Sequence, residues 1–84
     1  MNHKDILEQR ERLAAAAASR IPALEQEHAM LNLEAQRLRK IYLSETNVFM
    51  LLEIRRSIEA NRERNVQVCV SLREARNAAD SLNR

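Results

Sequence analysis

The stretch LSETNVFMLLE, residues 43–53, decides the fold of this chain. Apolar residues repeat with helical spacing on both sides of it, so it is either the turn between two helices or the middle of one long helix. Ser44, Thr46 and Asn47 are residue types that cap helix N-termini, and Asn47 also tolerates left-handed backbone angles. The local sequence therefore allows a turn at 44–47 in a chain without glycine.

Two heptad frames flank this stretch. The first frame has two rows, Leu7, Ala14, Ile21, His28, Ala35 and Tyr42 in one and Ala17, Leu24, Leu31 and Leu38 in the other. The second frame also has two rows, Leu51, Ile58, Asn65, Leu72 and Ala79 in one and Ile54, Asn61, Val68, Ala75 and Leu82 in the other. The second frame is displaced by two residues, a rotation of about 200° on a helix.

That rotation favours a turn, because the two stripes of one straight helix would face different partners, whereas a turn lets them face each other. We predict an all-α fold: an antiparallel helical hairpin with coiled-coil character, with a helix over about 3–43, a turn over about 44–47 and a helix over about 48–82. The hairpin forms one domain over residues 1–84. A single long helix is the alternative.

Two segments depart from a regular helical pattern. Pro22 has no N–H to donate and its ring crowds the preceding turn, so we expect the N-terminal helix to be kinked or broken near Pro22, with Ser19 available to cap a restarted helix. In NVQVCVS, residues 65–71, valines alternate with polar residues or cysteine as in a strand. No second strand candidate exists to pair with it, so a helix is favoured, and a strand paired with a partner's edge is the alternative.

Composition indicates that this chain has a partner. It has 84 residues, one Phe, one Tyr and no Trp, and a chain of this size buries only about 60% of its unfolded surface. We predict a helical protein partner or a homo-oligomer that contacts the apolar seam. The predicted partner-binding seam consists of Leu24, Leu31, Leu38, Leu51, Ile54, Ile58, Asn61, Asn65, Val68 and Leu72. Asn61 and Asn65 either hydrogen-bond across the seam and set register, or face water where the seam is open.

Nothing in the sequence indicates catalysis. Long helices without glycine loops offer few concave sites, so we expect no enzyme activity, no catalytic residues and no cofactor. His28 has Glu25 one turn before it, but one such pair is too few ligands for zinc, and no metal site is expected. Cys69 cannot form an intramolecular disulfide, since it is the only cysteine, and is expected to be a small packing residue.

The charges argue against nucleic acid and membranes as partners. Lys and Arg total 14 and Asp and Glu total 12, which gives a net charge of only +2. Arginine clusters occur at 37–40, 55–56 and 62–64, but Glu34, Glu53, Glu59 and Glu63 lie within about one turn of them, and no aromatic residues are interleaved to stack bases. No apolar run approaches the roughly 20 residues of a membrane span, and no targeting signal is evident, so a cytoplasmic location is expected.

The sequence thus predicts a non-enzymatic protein–protein interaction module: a small coiled-coil subunit, chaperone or adaptor that packs its seam against helices of a partner or of itself. In size and predicted shape it is similar to the small helical chaperones and stalk subunits of bacterial secretion and flagellar export machines. The alternative is a small helical regulator that binds nucleic acid through its arginine clusters.

Overall fold

Two long helices packed against each other make up the structure, a computed structural model that describes residues 2–81. Helix α1 spans His3–Ser44 and helix α2 spans Val48–Asp80. The Cα atoms extend over 66 × 18 × 17 Å, as expected for a rod two helices thick. The predicted all-α hairpin is confirmed, and the alternative of a single long helix is wrong. Leu82, which was assigned to the second helix, lies outside the described residues.

The turn is a three-residue connection, Glu45 to Asn47, held by side-chain hydrogen bonds. The Glu45 carboxylate accepts from the backbone N–H of Thr46 at 3.1 Å and of Asn47 at 2.9 Å. Asn47 Oδ1 accepts from the N–H of Phe49 at 2.9 Å and of Met50 at 3.2 Å, which makes Asn47 the N-cap of α2. These side chains satisfy N–H groups that a helix start leaves unpaired.

The turn differs from the sequence expectation in two details. Asn47 has φ −78° and ψ 122°, an extended conformation, so the left-handed angles that asparagine tolerates are not used. Ser44 still belongs to α1, where its hydroxyl donates to the Ile41 carbonyl at 3.1 Å, and the turn therefore begins one residue later than predicted.

Pro22 lies inside α1 without breaking it. A straight helix of this length, 42 residues, would be about 63 Å long at 1.5 Å per residue, which agrees with the 66 Å extent of the hairpin. Ser19 does not cap a restarted helix; its hydroxyl donates to the Ala16 carbonyl at 2.7 Å within the same helix. The predicted break is wrong because Pro22 lies on the exposed face, where losing one hydrogen bond displaces no core side chain.

The core is one layer of side chains between the helices, drawn from the predicted heptad rows. The buried apolar residues are Ala14, Ala17, Leu38, Ile54, Val68, Leu72 and Ala75. Val68, only 1% exposed, is the most deeply buried of them, although it lies in the segment that alternates like a strand. Residues 65–71 are helical in the single chain, as predicted, because burial of this row against α1 outweighs the weak local preference of valine for strands. A strand paired with a partner's edge stays an alternative for a complex.

We predict that Pro22→Ala stabilises the hairpin by about 1–3 kcal/mol, because alanine restores the missing backbone donor in a helix interior. Thermal unfolding followed by circular dichroism should show a melting temperature higher by several degrees, given about 4–8 °C per kcal/mol for a domain of this size. Gln26→Ala, an exposed change in the same helix, is the control and should shift melting very little. Equal melting of Pro22→Ala and the native chain would contradict an intact helix through residue 22.

Candidate functional site

The ten predicted seam residues are all buried or half-buried in the hairpin. Leu38, Ile54, Asn61, Val68 and Leu72 are buried. Leu24, Leu31, Leu51, Ile58 and Asn65 are half-buried and keep part of their surface exposed. The seam therefore holds the two helices of this chain together. Its contact with a partner protein stays a prediction.

Asn61 and Asn65 both hydrogen-bond across to α1. Asn61 is 6% exposed, and its Nδ2 donates to the Leu31 carbonyl at 3.0 Å. Asn65 Nδ2 donates to Asn32 Oδ1 at 3.0 Å. The alternative in which these asparagines face water is wrong.

The two bonds differ in how strictly they specify register. A backbone carbonyl recurs at every turn of α1, so the Asn61 bond could form again after a slip of one heptad. The same slip would bring Asn65 opposite Glu25 or Arg39 in place of Asn32. The side-chain pair is therefore the register-specific contact. Sequence reasoning missed Asn32, whose only signal is its place beside the Leu31 seam position.

Charged pairs on the flanks join the two helices at two points along the rod. Arg64 lies 2.6 Å from a Glu27 oxygen and Arg76 lies 3.2 Å from a Glu25 oxygen, both between α2 and α1. All four side chains are partly exposed, so each pair contributes at most about 1 kcal/mol. These contacts between α2 and α1 are those of an antiparallel hairpin, but they add little to its stability.

The predicted local neutralisation of the arginine clusters is mostly wrong. Of the acidic residues at helix spacing, only Glu59 forms an ion pair, with Arg55 at 3.8 Å. Within residues 2–81, five other basic side chains near the turn form no ion pair within 4 Å: Arg37, Arg39, Lys40, Arg56 and Arg62. Sequence spacing allowed pairs that the exposed side chains do not make.

The turn end exposes an unusual amount of apolar surface. Of the fourteen large apolar side chains that are exposed among residues 2–81, seven lie within residues 41–52: Ile41, Tyr42, Leu43, Val48, Phe49, Met50 and Leu52. We call these seven residues the apolar turn end. Leu43 is 84% exposed and Phe49 is 80% exposed, and Tyr42, which the first frame placed in the seam, is 39% exposed. Tyr42 and Phe49 are the only aromatic residues of the chain.

Sequence reasoning missed this surface because it treated residues 43–53 as a connection only. The available signal was the apolar run VFMLL directly after the candidate caps, with IYL directly before them. At a tight turn both helices end together, so neither helix can cover the apolar residues of the last turns.

Basic residues surround the apolar turn end. Residues 37–56 contain five basic side chains, Arg37, Arg39, Lys40, Arg55 and Arg56, and two acidic ones, Glu45 and Glu53, a net charge of +3. The whole chain has a net charge of +2, so the rest of it is slightly negative. Glu45 is engaged in the hydrogen bonds of the turn. Residues 37–56, at and next to the turn, are therefore a positively charged segment of the rod.

The described residues contain neither a metal-binding cluster nor a membrane-spanning helix. Among residues 2–81, no group of three or more His, Cys, Asp or Glu side chains is placed to hold a metal ion. No helix in that range combines the length and apolar character needed to cross a membrane. Cys69 is exposed, with its Sγ 3.8 Å from Asn65 Oδ1, so the expectation that it packs in the interior is wrong.

Comparisons with protein-family models, with curated proteins and with solved structures gave no match to this chain.

We predict that Asn61→Asp destabilises the hairpin by about 1–3 kcal/mol, because a carboxylate cannot donate to the Leu31 carbonyl and would place another acceptor against it. Asn77→Asp, at an exposed position of the same helix, is the matched control and should be nearly neutral. Urea unfolding followed by circular dichroism measures both.

Asn61→Leu distinguishes a lost hydrogen bond from a lost side chain. Leucine removes the polar group along with its bond, so the stability should stay near or above that of the native chain. If the Asn61→Asp chain is as stable as the Asn77→Asp chain, residue 61 is not buried against α1.

Proposed function

We propose that this chain is a non-enzymatic protein-interaction module whose apolar turn end binds a helical partner protein or a second copy of the chain. The observation that carries the proposal is the concentration of exposed apolar side chains at one end of the rod, including both aromatic residues. Exposed apolar side chains concentrated in one region are typical of interaction sites. The seam holds the hairpin together and the turn end meets the partner.

The residue types at the turn end support a protein partner. Protein interfaces are enriched in aromatic residues, Met and Arg and depleted in Lys. The turn end and its surroundings contain Tyr42, Phe49 and Met50, with four arginines and one lysine among the basic residues of 37–56. An apolar centre rimmed by arginine is the arrangement of interface hot spots.

The geometry of the turn also favours recognition. Hydrogen bonds from Glu45 and Asn47 fix the backbone between residues 44 and 50, so the apolar side chains on both sides are held on rigid helix ends. A surface that is already ordered loses less conformational entropy on binding than a mobile loop. Half-buried Leu51, in the first turn of α2, extends this surface toward the seam.

Site-specific photo-crosslinking tests the proposal. A photoreactive amino acid at position 49, in the full chain expressed in cells, should give one discrete protein adduct, and mass spectrometry of that band distinguishes a second copy from another protein. The same amino acid at position 66 is the control, since Val66 is 63% exposed on α2 outside the turn end.

Leu43→Asp should abolish the adduct at position 49, because it places a charge in the apolar contact. Circular dichroism of the Leu43→Asp chain should match the native spectrum, since Leu43 is 84% exposed and contributes little to the core. Equal labelling from positions 49 and 66, or an adduct that Leu43→Asp leaves unchanged, would overturn the proposal.

A nucleic-acid-binding regulator is the second candidate, favoured by the five basic side chains near the turn that form no ion pair within residues 2–81. It requires affinity for duplex DNA or RNA that falls steeply with salt, with a log–log slope of about −0.9 per DNA phosphate neutralised. Fluorescence anisotropy at several salt concentrations measures this slope. We rank it second because the basic residues rim an apolar surface that a nucleic acid backbone would leave exposed.

A further inference from the structure

A groove on one flank of the hairpin brings together two arginines from opposite helices. The groove has a volume of about 250 Å³ and lies behind the apolar turn end, between the middle of α1 and the middle of α2. Arg39 lines it from α1 and Arg62 lines it from α2. Its other polar lining is made of amides, from Asn32, Gln36, Asn61 and Asn65.

The positive charge of this groove is not compensated by the protein. No carboxylate lines it, and within residues 2–81 neither arginine has an acidic partner within 4 Å. Glu59, one turn before Arg62, lies 3.8 Å from Arg55. The residues three and four positions away from Arg39 on either side are all uncharged.

Two other arginines of α2 have acidic partners on the facing helix. Arg64 meets Glu27 and Arg76 meets Glu25 across the seam. Such flank positions normally carry opposite charges, and like charges there are destabilising. An arginine on each side of one groove therefore costs the hairpin stability unless an anion lies between them.

The groove offers several hydrogen-bond donors to a ligand. Asn32 Oδ1 already accepts from Asn65 Nδ2 at 3.0 Å, and Asn65 Oδ1 accepts from the Cys69 thiol at 3.8 Å. The amide N–H groups of Asn32 form no hydrogen bond with another described side chain or backbone group. Each guanidinium adds five N–H donors, in a planar fork that matches the oxygens of phosphate or carboxylate.

We propose that this groove is a binding site for a phosphate-type oxyanion, held between Arg39 and Arg62 with the Asn32 amide as an additional donor. Two guanidinium groups match a ligand with two negative charges better than a single carboxylate. The ligand is either a free phosphate compound or a phosphorylated side chain of a protein. The site is separate from the apolar turn end and does not depend on the proposed function.

The first test is a titration of the isotopically labelled full chain with inorganic phosphate at pH 7.5, with ionic strength held constant by sodium chloride. NMR should show saturable shifts of the Arg39 and Arg62 side-chain N–H resonances with one shared dissociation constant. Arg62→Gln should weaken binding at least tenfold, whereas Arg56→Gln, a neighbouring arginine that does not line the groove, should leave it unchanged. Shifts that do not saturate, or equal weakening by both variants, would overturn the proposal.

Thermal unfolding gives an independent readout. Without phosphate, Arg62→Gln should melt at a higher temperature than the native chain, because the repulsion between like charges is removed. Phosphate at ten times its dissociation constant should raise the melting temperature of the native chain and of Arg56→Gln but not that of Arg62→Gln. If phosphate raises the melting temperature of the native chain no more than sodium chloride of the same ionic strength does, the groove is not a phosphate site.

Two further probes define the ligand. Sodium acetate should bind at least tenfold more weakly than phosphate, and equal affinity would overturn the assignment to a doubly charged oxyanion. A short peptide containing phosphoserine, compared with its unphosphorylated form, separates the two sources. Tighter binding of the phosphopeptide than of inorganic phosphate supports a phosphorylated protein as the source, and the reverse order supports a free phosphate compound.

Discussion

The capping of the three-residue turn by Glu45 and Asn47 is the constraint on which the rest of the structure depends. Two side chains satisfy the backbone N–H groups of Thr46, Asn47, Phe49 and Met50 in a chain that has no glycine to allow a left-handed turn. With those groups satisfied, the chain reverses over residues in extended conformations. The reversal brings two apolar stripes, rotated by about 200° relative to each other along the sequence, onto one shared layer.

The same turn explains why the hairpin both closes on itself and leaves a surface for others. Along the rod, each stripe covers the other, and Asn65 with Asn32 specifies which turns of the two helices meet. At the turn, the helices end together and no third element follows within the described residues, so apolar side chains such as Leu43 and Phe49 remain in solvent. The buried core and the apolar turn end therefore both follow from the geometry of the three-residue turn. A shorter or longer turn would alter both.

The sequence predicts the features that follow from its periodicity better than those that depend on packing between the helices or on the position of one side chain. The heptad rows were predictable because periodicity alone places residues such as Ile54, Val68 and Leu72 on one face. The helical state of residues 65–71 was also predicted, because no second strand candidate exists to pair with them. The continuation of α1 through Pro22 was not predicted, since packing along a long seam overrides a local preference for a break. The role of the Glu45 carboxylate was also missed, because it requires the position of a side chain relative to its own backbone.

The ion pairs are also only partly predictable from the sequence. Arg64 and Arg76 of α2 lie beside glutamates of α1, so the two flanks complement each other at these points. Arg39 and Arg62 line one groove without a carboxylate, and within residues 2–81 neither of them forms an ion pair. Sequence spacing could not reveal this, because Glu34, Glu53 and Glu63 lie near the arginines along the chain without pairing with them in space. The arginines of α2 therefore include two that are compensated by glutamates of α1 and one, Arg62, that shares a groove with Arg39 and no carboxylate, which is the arrangement that the proposed oxyanion would complete.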